Sequence, residues 1–222
     1  MRSPLLDSHP LFPDLAEYLH ANPGRQEETD GEPARAAVAI VLRANPSVEV
    51  SAQPAGETPI PDSQFPIPAL EVLLILRAER DGDPWSGQVA LPGGRRDPVD
   101  ATLQDTAVRE TLEETGIDLA TDGIVLGTVD ELRPRTPHLP PIIVTPFVAI
   151  VRPDPVVHIS DELADAFWAP WSIFSDPTRT DERTIKVRGA DWNVASYQVG
   201  ERIVWGMTER MLRQTAHIIA SL

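Results

Sequence analysis

The sequence predicts an α/β fold, one domain with appendages, and three observations lead there. Apolar runs of strand length at Ala36 to Leu42, Leu70 to Leu76 and Ile142 to Val151 alternate with helix-patterned segments. A glycine turn at Gly93-Gly94 separates the second run from a helical segment, Asp100 to Thr115, which Gly116 ends. The 222 residues show no internal repeat and no composition shift toward a second folded unit.

In chain order, Leu11, Leu15, Tyr18 and Leu19 recur at helical spacing until Asn22-Pro23-Gly24 ends the pattern, which predicts a short N-terminal helix. Gln26 to Glu32 is acidic and has no hydrophobic residue. Residues 1–35 therefore read as a helix and a solvated loop before the main domain at 36–222. Pro46, Pro54, Pro59, Pro61, Pro66 and Pro68 forbid helix interiors and central strands, so about 44–68 reads as a Pro-rich, irregular insert. Further strands are predicted at Gly123 to Val129 and Ile185 to Val187. Met211, Leu212, Thr215, Ile218 and Ile219 mark one face of a terminal helix.

Hydrophobic residues at 41% and charged residues at 24% describe a globular chain and exclude a disordered one. No apolar run approaches the ~18 residues of a membrane span, so no membrane partner is expected. With 19 Lys+Arg against 34 Asp+Glu the net charge is −15. That field opposes an extended nucleic-acid surface but permits a small phosphorylated ligand held by a metal ion and a few arginines. Zero cysteines exclude disulfides, thiolate catalysis and cysteine-zinc sites. The N-terminal residues lack an apolar stretch of signal-peptide length and Ala220-Ser221-Leu222 is not the peroxisomal Ser-Lys-Leu address, so the expected location is cytoplasmic.

Chemistry concentrates between Leu91 and Ile117. At about 100° per residue, Glu110 and Glu114 lie roughly 40° apart and Glu113 roughly 60° to the other side of Glu110, so three carboxylates fan over one helix face. They repel one another unless a cation joins them, and a hard divalent cation takes carboxylate oxygens together with water and substrate phosphates. Ala107, Val108, Thr111 and Leu112 lie on the opposite face, which suits packing on a sheet.

Gly94, Asp100, Arg109-Glu110 and Glu113-Glu114-Thr115-Gly116-Ile117 together resemble the signature of the Nudix hydrolase superfamily, Gly-x5-Glu-x7-Arg-Glu-U-x-Glu-Glu-x-Gly-U with U apolar. Asp100 stands in place of the first Glu, eight residues precede Arg109, and Thr111 occupies an apolar position. The first two departures occur together in the coenzyme A diphosphatase subfamily, whose P-G-G-x-x-D-P-x-D is similar to Pro92-Gly93-Gly94-Arg95-Arg96-Asp97-Pro98-Val99-Asp100. Upstream, Leu73-Leu74-Ile75-Leu76-Arg77-Ala78 and Gly87 to Gly94 resemble the subfamily's coenzyme A element with one extra residue, which puts Asp83 where its second arginine belongs and leaves Arg80 nearby. The likeness covers about residues 36–215.

The resemblance implies a Nudix-type α/β/α sandwich with a central mixed sheet, a Mg²⁺ or Mn²⁺ cofactor and a small-molecule nucleotide substrate. It implies cleavage of the pyrophosphate of coenzyme A or its derivatives to 3′,5′-ADP and 4′-phosphopantetheine. Two alternatives stay open: another nucleoside diphosphate derivative, such as ADP-ribose, a dinucleotide or a non-canonical nucleotide, and a Nudix-fold module that senses a nucleotide without turning it over. Glu110 and Glu114 are the expected main metal ligands, with Glu113 sharing a second ion or acting through water and the Gly94 carbonyl as a further oxygen. Arg109 is expected to brace the helix by pairing with Asp100. Glu162, or Asp161, is the candidate general base; equally it reads as an acid at a helix N-terminus. Arg77, Arg80, Arg95 and Arg96 are candidates for substrate phosphates, Arg95 and Arg96 equally for solvated loop charges. The five histidines show no metal spacing, His138 being the best catalytic candidate among them. The tryptophans read as core or interface anchors, Trp85 excepted for its place eight residues before Gly93. Homodimerisation is a further implication of the superfamily.

Overall fold

The computed structural model describes residues 3–29, 31, 33–47, 69–80, 82, 85–134, 141–175, 180–187 and 190–222. Most of the Pro-rich insert, Asp83 and His138 lie outside these residues. Seven strands form one sheet: β1 (Ala34–Ala44), β2 (Leu70–Arg77), β3 (Val89–Ala90), β4 (Gly93–Arg95), β5 (Gly123–Thr128), β6 (Ile142–Val151) and β7 (Leu163–Pro170). Its main path runs β3-β2-β1-β6-β5, with β4 added on β1 and β7 on β2. β1 and β6 run parallel while the other pairs are antiparallel, so the sheet is mixed as expected.

Period-two alternation splits the core into two layers. Ile40 and Leu42 of β1 face one way, with Val148 and Ile150 of β6, and pack with Phe12, Leu15 and Leu19 of α1 (Leu11–Ala21). Ala39 and Val41, with Ala149 and Val151, face the other way, toward Ile117 and Val108; Ala37 and Phe147 pack on Ala107. Val108 and Ala107 belong to α2 (Leu103–Thr115), so helices cover both faces of the sheet. The short α3 (Ser172–Ser175) and α4 (Gly206–Ile219) join the first layer. A second, three-stranded sheet of β8 (Thr180–Val187), β9 (Ala190–Val199) and β10 (Arg202–Trp205) is antiparallel throughout.

The structure departs from the sequence expectations in places. Gly93 and Gly94, expected as a turn, are themselves strand residues of β4, Gly94 pairing with Ala37 and Gly93 with Val38, because the glycine backbone packs directly against β1. The helix expected from Asp100 begins at Leu103, because Thr102 Oγ1 accepts the Asp105 N–H and the Asp105 carboxylate accepts the Thr102 N–H, a capping box that leaves Asp100 in the loop. Ala34 and Arg35, read as loop, already belong to β1, and α1 shares the main core. Of the second sheet only Ile185 to Val187 was foreseen.

Candidate active site

One edge of β1 is divided between two partners, and the division positions the site. Its C-terminal end, Leu42 to Ala44, pairs with β2, while Ala36 to Val38 pair with β4. Between them the Ala39 N–H donates to the Pro92 carbonyl at 2.8 Å, drawing the glycine loop onto the central strand. Gly93 has φ +150°, and a Cβ there would stand 2.3 Å from the Ala37 carbonyl oxygen, so only glycine permits this approach. At Gly94 a Cβ would stand 2.4 Å from the Glu110 carboxyl carbon, which means that this carboxylate rests against the turn backbone.

α2 presents its acids to that turn. Glu114 is buried and its Oε2 accepts the Gly93 N–H at 2.9 Å. Burial pushes the Glu114 carboxyl up to about 7; the charges of Glu110 and Glu162 add to the rise, while the Gly93 N–H and the Arg77 cation oppose it. Glu110 is also raised, chiefly by burial, against a hydrogen bond from Arg109. Arg109 grips Asp100 in a bidentate pair, Nε to Oδ1 and Nη2 to Oδ2, both 2.9 Å. The same guanidinium donates to Glu110 at 2.8 Å, to Glu113 at 3.0 Å and to the Arg95 carbonyl at 3.2 Å. Those bonds from Arg109 hold the Asp100 carboxyl well below the usual carboxylate range.

Glu162 reaches the same place from another direction. The segment before it crosses the end of α2, where the His158 and Ser160 N–H groups take the otherwise unpaired carbonyls of Thr115 and Glu114. The Ala78 N–H then fixes the Glu162 carbonyl at 2.9 Å, and Arg80 Nη1 meets its carboxylate at 3.2 Å. The helix-N-terminus reading of Glu162 does not hold, because residues 163–170 form strand β7.

The carboxylates of Glu110 and Glu114, Glu162, Arg77, Arg95 and the Gly93-Gly94 turn line one cleft of about 1060 Å³. Glu113 is not on that wall: its side chain is 58% exposed and bound to Arg109. Arg96 is not there either, since its guanidinium donates to the Asp100 and Ala101 carbonyls and ties the loop. Trp85 lines the cleft, as do Trp192 and Trp205, expected in core or interface, and Met207 and Met211. Among the described residues no three His, Cys, Asp or Glu side chains close round one point. Two carboxylates with raised affinity for protons, beside a backbone turn, form a partial oxygen donor set. Such a set fits Mg²⁺ or Mn²⁺ completed by water and phosphate oxygens, and does not form a closed cage.

The NUDIX domain family model matches residues 68–187. The chain belongs to the Nudix family. It is 31% identical over 145 residues, 65% of this chain and 75% of the relative, to the uncharacterized Nudix hydrolase NudL of Photorhabdus laumondii. It is 35% identical over 111 residues, 49% of this chain and 45% of the relative, to the peroxisomal coenzyme A diphosphatase ndx-8 of Caenorhabditis elegans. The chain spans 43% of a Schizosaccharomyces pombe relative and 66% of the Enterobacter NudL protein, less than two thirds of either. A MutT/nudix family protein from Enterococcus faecalis shares the fold with a TM-score of 0.52 at 17% identity, over 93% of this chain and 69% of that one. No helix among the described residues is long and apolar enough to cross a membrane.

Proposed function

We propose that this Nudix chain hydrolyses the pyrophosphate bond of a nucleoside diphosphate derivative, and that its substrate is coenzyme A or a derivative, yielding 3′,5′-ADP and 4′-phosphopantetheine. The observation that carries the reading is the placing of Glu110 and Glu114 against the Gly93-Gly94 backbone in a cleft that also holds Arg77 and Glu162. Similarity to a coenzyme A diphosphatase along 49% of the chain supports the finer assignment.

Glu110, Glu114 and the Gly94 carbonyl would hold Mg²⁺ or Mn²⁺, which when bound neutralises phosphate charge and lowers the pKa of water. Arg109 keeps Glu110 oriented and pins α2 to the loop through Asp100. Arg77 and Arg95 line the cleft and present guanidinium donors to phosphate oxygens. Glu162 is the general base: its carboxylate is 55% exposed, close enough to influence Glu110 and Glu114, and accepts the proton of the attacking water. A cytoplasmic location, in keeping with the absence of cysteine, and a homodimer belong to the same proposal.

The test is product analysis by chromatography after parallel incubation with Mg²⁺ and coenzyme A, acetyl-coenzyme A, ADP-ribose, NADH or a diadenosine polyphosphate. Release of 3′,5′-ADP from coenzyme A at the highest kcat/KM is expected. Preference for another compound overturns the coenzyme A assignment and keeps the Nudix chemistry, while turnover of none overturns the hydrolase reading in favour of a sensor.

A further inference from the structure

The cleft is far larger than a pyrophosphate, and its lining is of two kinds. Glu110, Glu114, Arg77, Arg95 and Glu162 are charged. Trp192 of β9, Trp205 of β10, and Met207 and Met211 of α4 form an apolar wall together with Leu91, Ile142 and Val144. The α4 end of this wall is tied beside the glycine loop, because Thr208 Oγ1 donates to the Val89 carbonyl at 3.3 Å. Trp192 is 39% exposed, between exposed Asp191 and Asn193, in a strand whose Tyr197 and Val199 are packed in the core. An indole left partly open on a cleft wall offers apolar surface to a ligand.

Several polar side chains along this wall are engaged within the protein. The Asn193 Oδ1 accepts the Thr184 hydroxyl at 2.7 Å, Glu209 pairs with Arg213 at 2.8 Å, Arg210 donates to the Arg133 carbonyl at 3.1 Å and Thr208 bonds to Val89. A nucleobase placed here would find stacking surface but few open partners for its edge, and an unmatched polar edge is costly to bury. An aliphatic group requires no such partners, and the unbranched, flexible side chains of Met207 and Met211 adapt to one.

Resting on the coenzyme A reading, we propose that this wall, made by Trp192, Trp205, Met207 and Met211, binds the aliphatic acyl group of a coenzyme A thioester whose pyrophosphate lies at Glu110 and Glu114. The acyl chain selects the substrate and takes no part in bond breaking. Trp192, Trp205, Met207 and Met211 all lie beyond residues 68–187, the part of the chain that the family model matches. Selectivity is thus built from segments outside the shared domain, on a hydrolytic site inside it.

The test measures kcat/KM for free coenzyme A and its acetyl, hexanoyl and decanoyl thioesters, with native protein, Trp192→Ala and Met207→Glu. A parallel titration follows tryptophan fluorescence of the metal-free protein with decanoyl-coenzyme A against coenzyme A. In native protein KM falls with chain length, by up to about fourfold for each methylene that becomes fully buried. The decanoyl-to-free ratio of kcat/KM then drops at least tenfold in both variants, and the decanoyl ligand binds the metal-free protein more tightly than coenzyme A. Coenzyme A turnover that is flat with chain length overturns this inference and leaves the proposed function intact. Absence of turnover and of decanoyl-selective binding, with another nucleotide cleaved, overturns both readings. A change of nucleobase preference in Trp192→Ala, with no change in chain-length dependence, reassigns the wall to a base and overturns the acyl assignment.

Discussion

At the scale of single residues, Glu110 and Glu114 carry charges that the protein itself opposes. Replacing either by Gln removes a carboxylate oxygen donor, and metal-dependent turnover in Glu110→Gln and Glu114→Gln is expected to fall by about 10²–10³-fold, the range for loss of one preorganised charge-stabilising group. Steady-state kinetics check this, and turnover surviving in both variants would refute the site. Because Glu114 titrates near 7, it carries more proton in the folded than in the unfolded chain between the ordinary glutamate pKa and about 7. Metal-free stability contributed by the protonated side chain is therefore lost as pH rises through that window, and is flat above it. Urea unfolding at a series of pH values should show this fall. Saturating Mg²⁺ should reverse it, since the cation binds the deprotonated carboxylate and its apparent affinity rises with pH up to about 7.

Elements deliver those residues through close backbone approach and through capping. In Gly93→Ala the added methyl meets the Ala37 carbonyl oxygen and the Val38 Cα at 2.3 and 2.5 Å, neither of which can yield without breaking the β4–β1 pairing. The variant is expected to lose turnover by about 10²-fold or more, since misplacement near 1 Å has that cost, and to show reduced Mg²⁺ affinity by calorimetry. On the opposite layer, α1 contributes Leu15, fully buried on the sheet. Leu15→Ala should lower the unfolding free energy by about 2–5 kcal/mol in urea melts while leaving KM near that of the native protein. The pattern of Leu11, Leu15, Tyr18 and Leu19 was enough to read that helix, and the run Ile142 to Val151 matched a strand residue for residue. β9 was illegible for a physical reason: Asp191, Trp192 and Asn193 are exposed there, so no buried run or clean alternation marks its start.

For the whole molecule, the net charge of −15 surrounds a site for which an anionic substrate is proposed. Long-range repulsion of that kind is screened within about 10 Å at 0.1 M salt, so kcat/KM at fixed free Mg²⁺ is expected to rise between low and physiological ionic strength. A fall would mean that the arginines of the cleft outweigh the global field. The spacing of Glu110, Glu113 and Glu114 by itself put three carboxylates over one helix face, because the helix period fixes it, and the brace of Arg109 on Asp100, which the family resemblance implied, is present in the structure. Tertiary structure alone decided that Glu162 arrives by crossing the end of α2. It also decided that Trp192 and Met207 join Glu114 on one cleft. These contacts join segments dozens of residues apart, and their geometry depends on how sheet and helices pack, which no local period records.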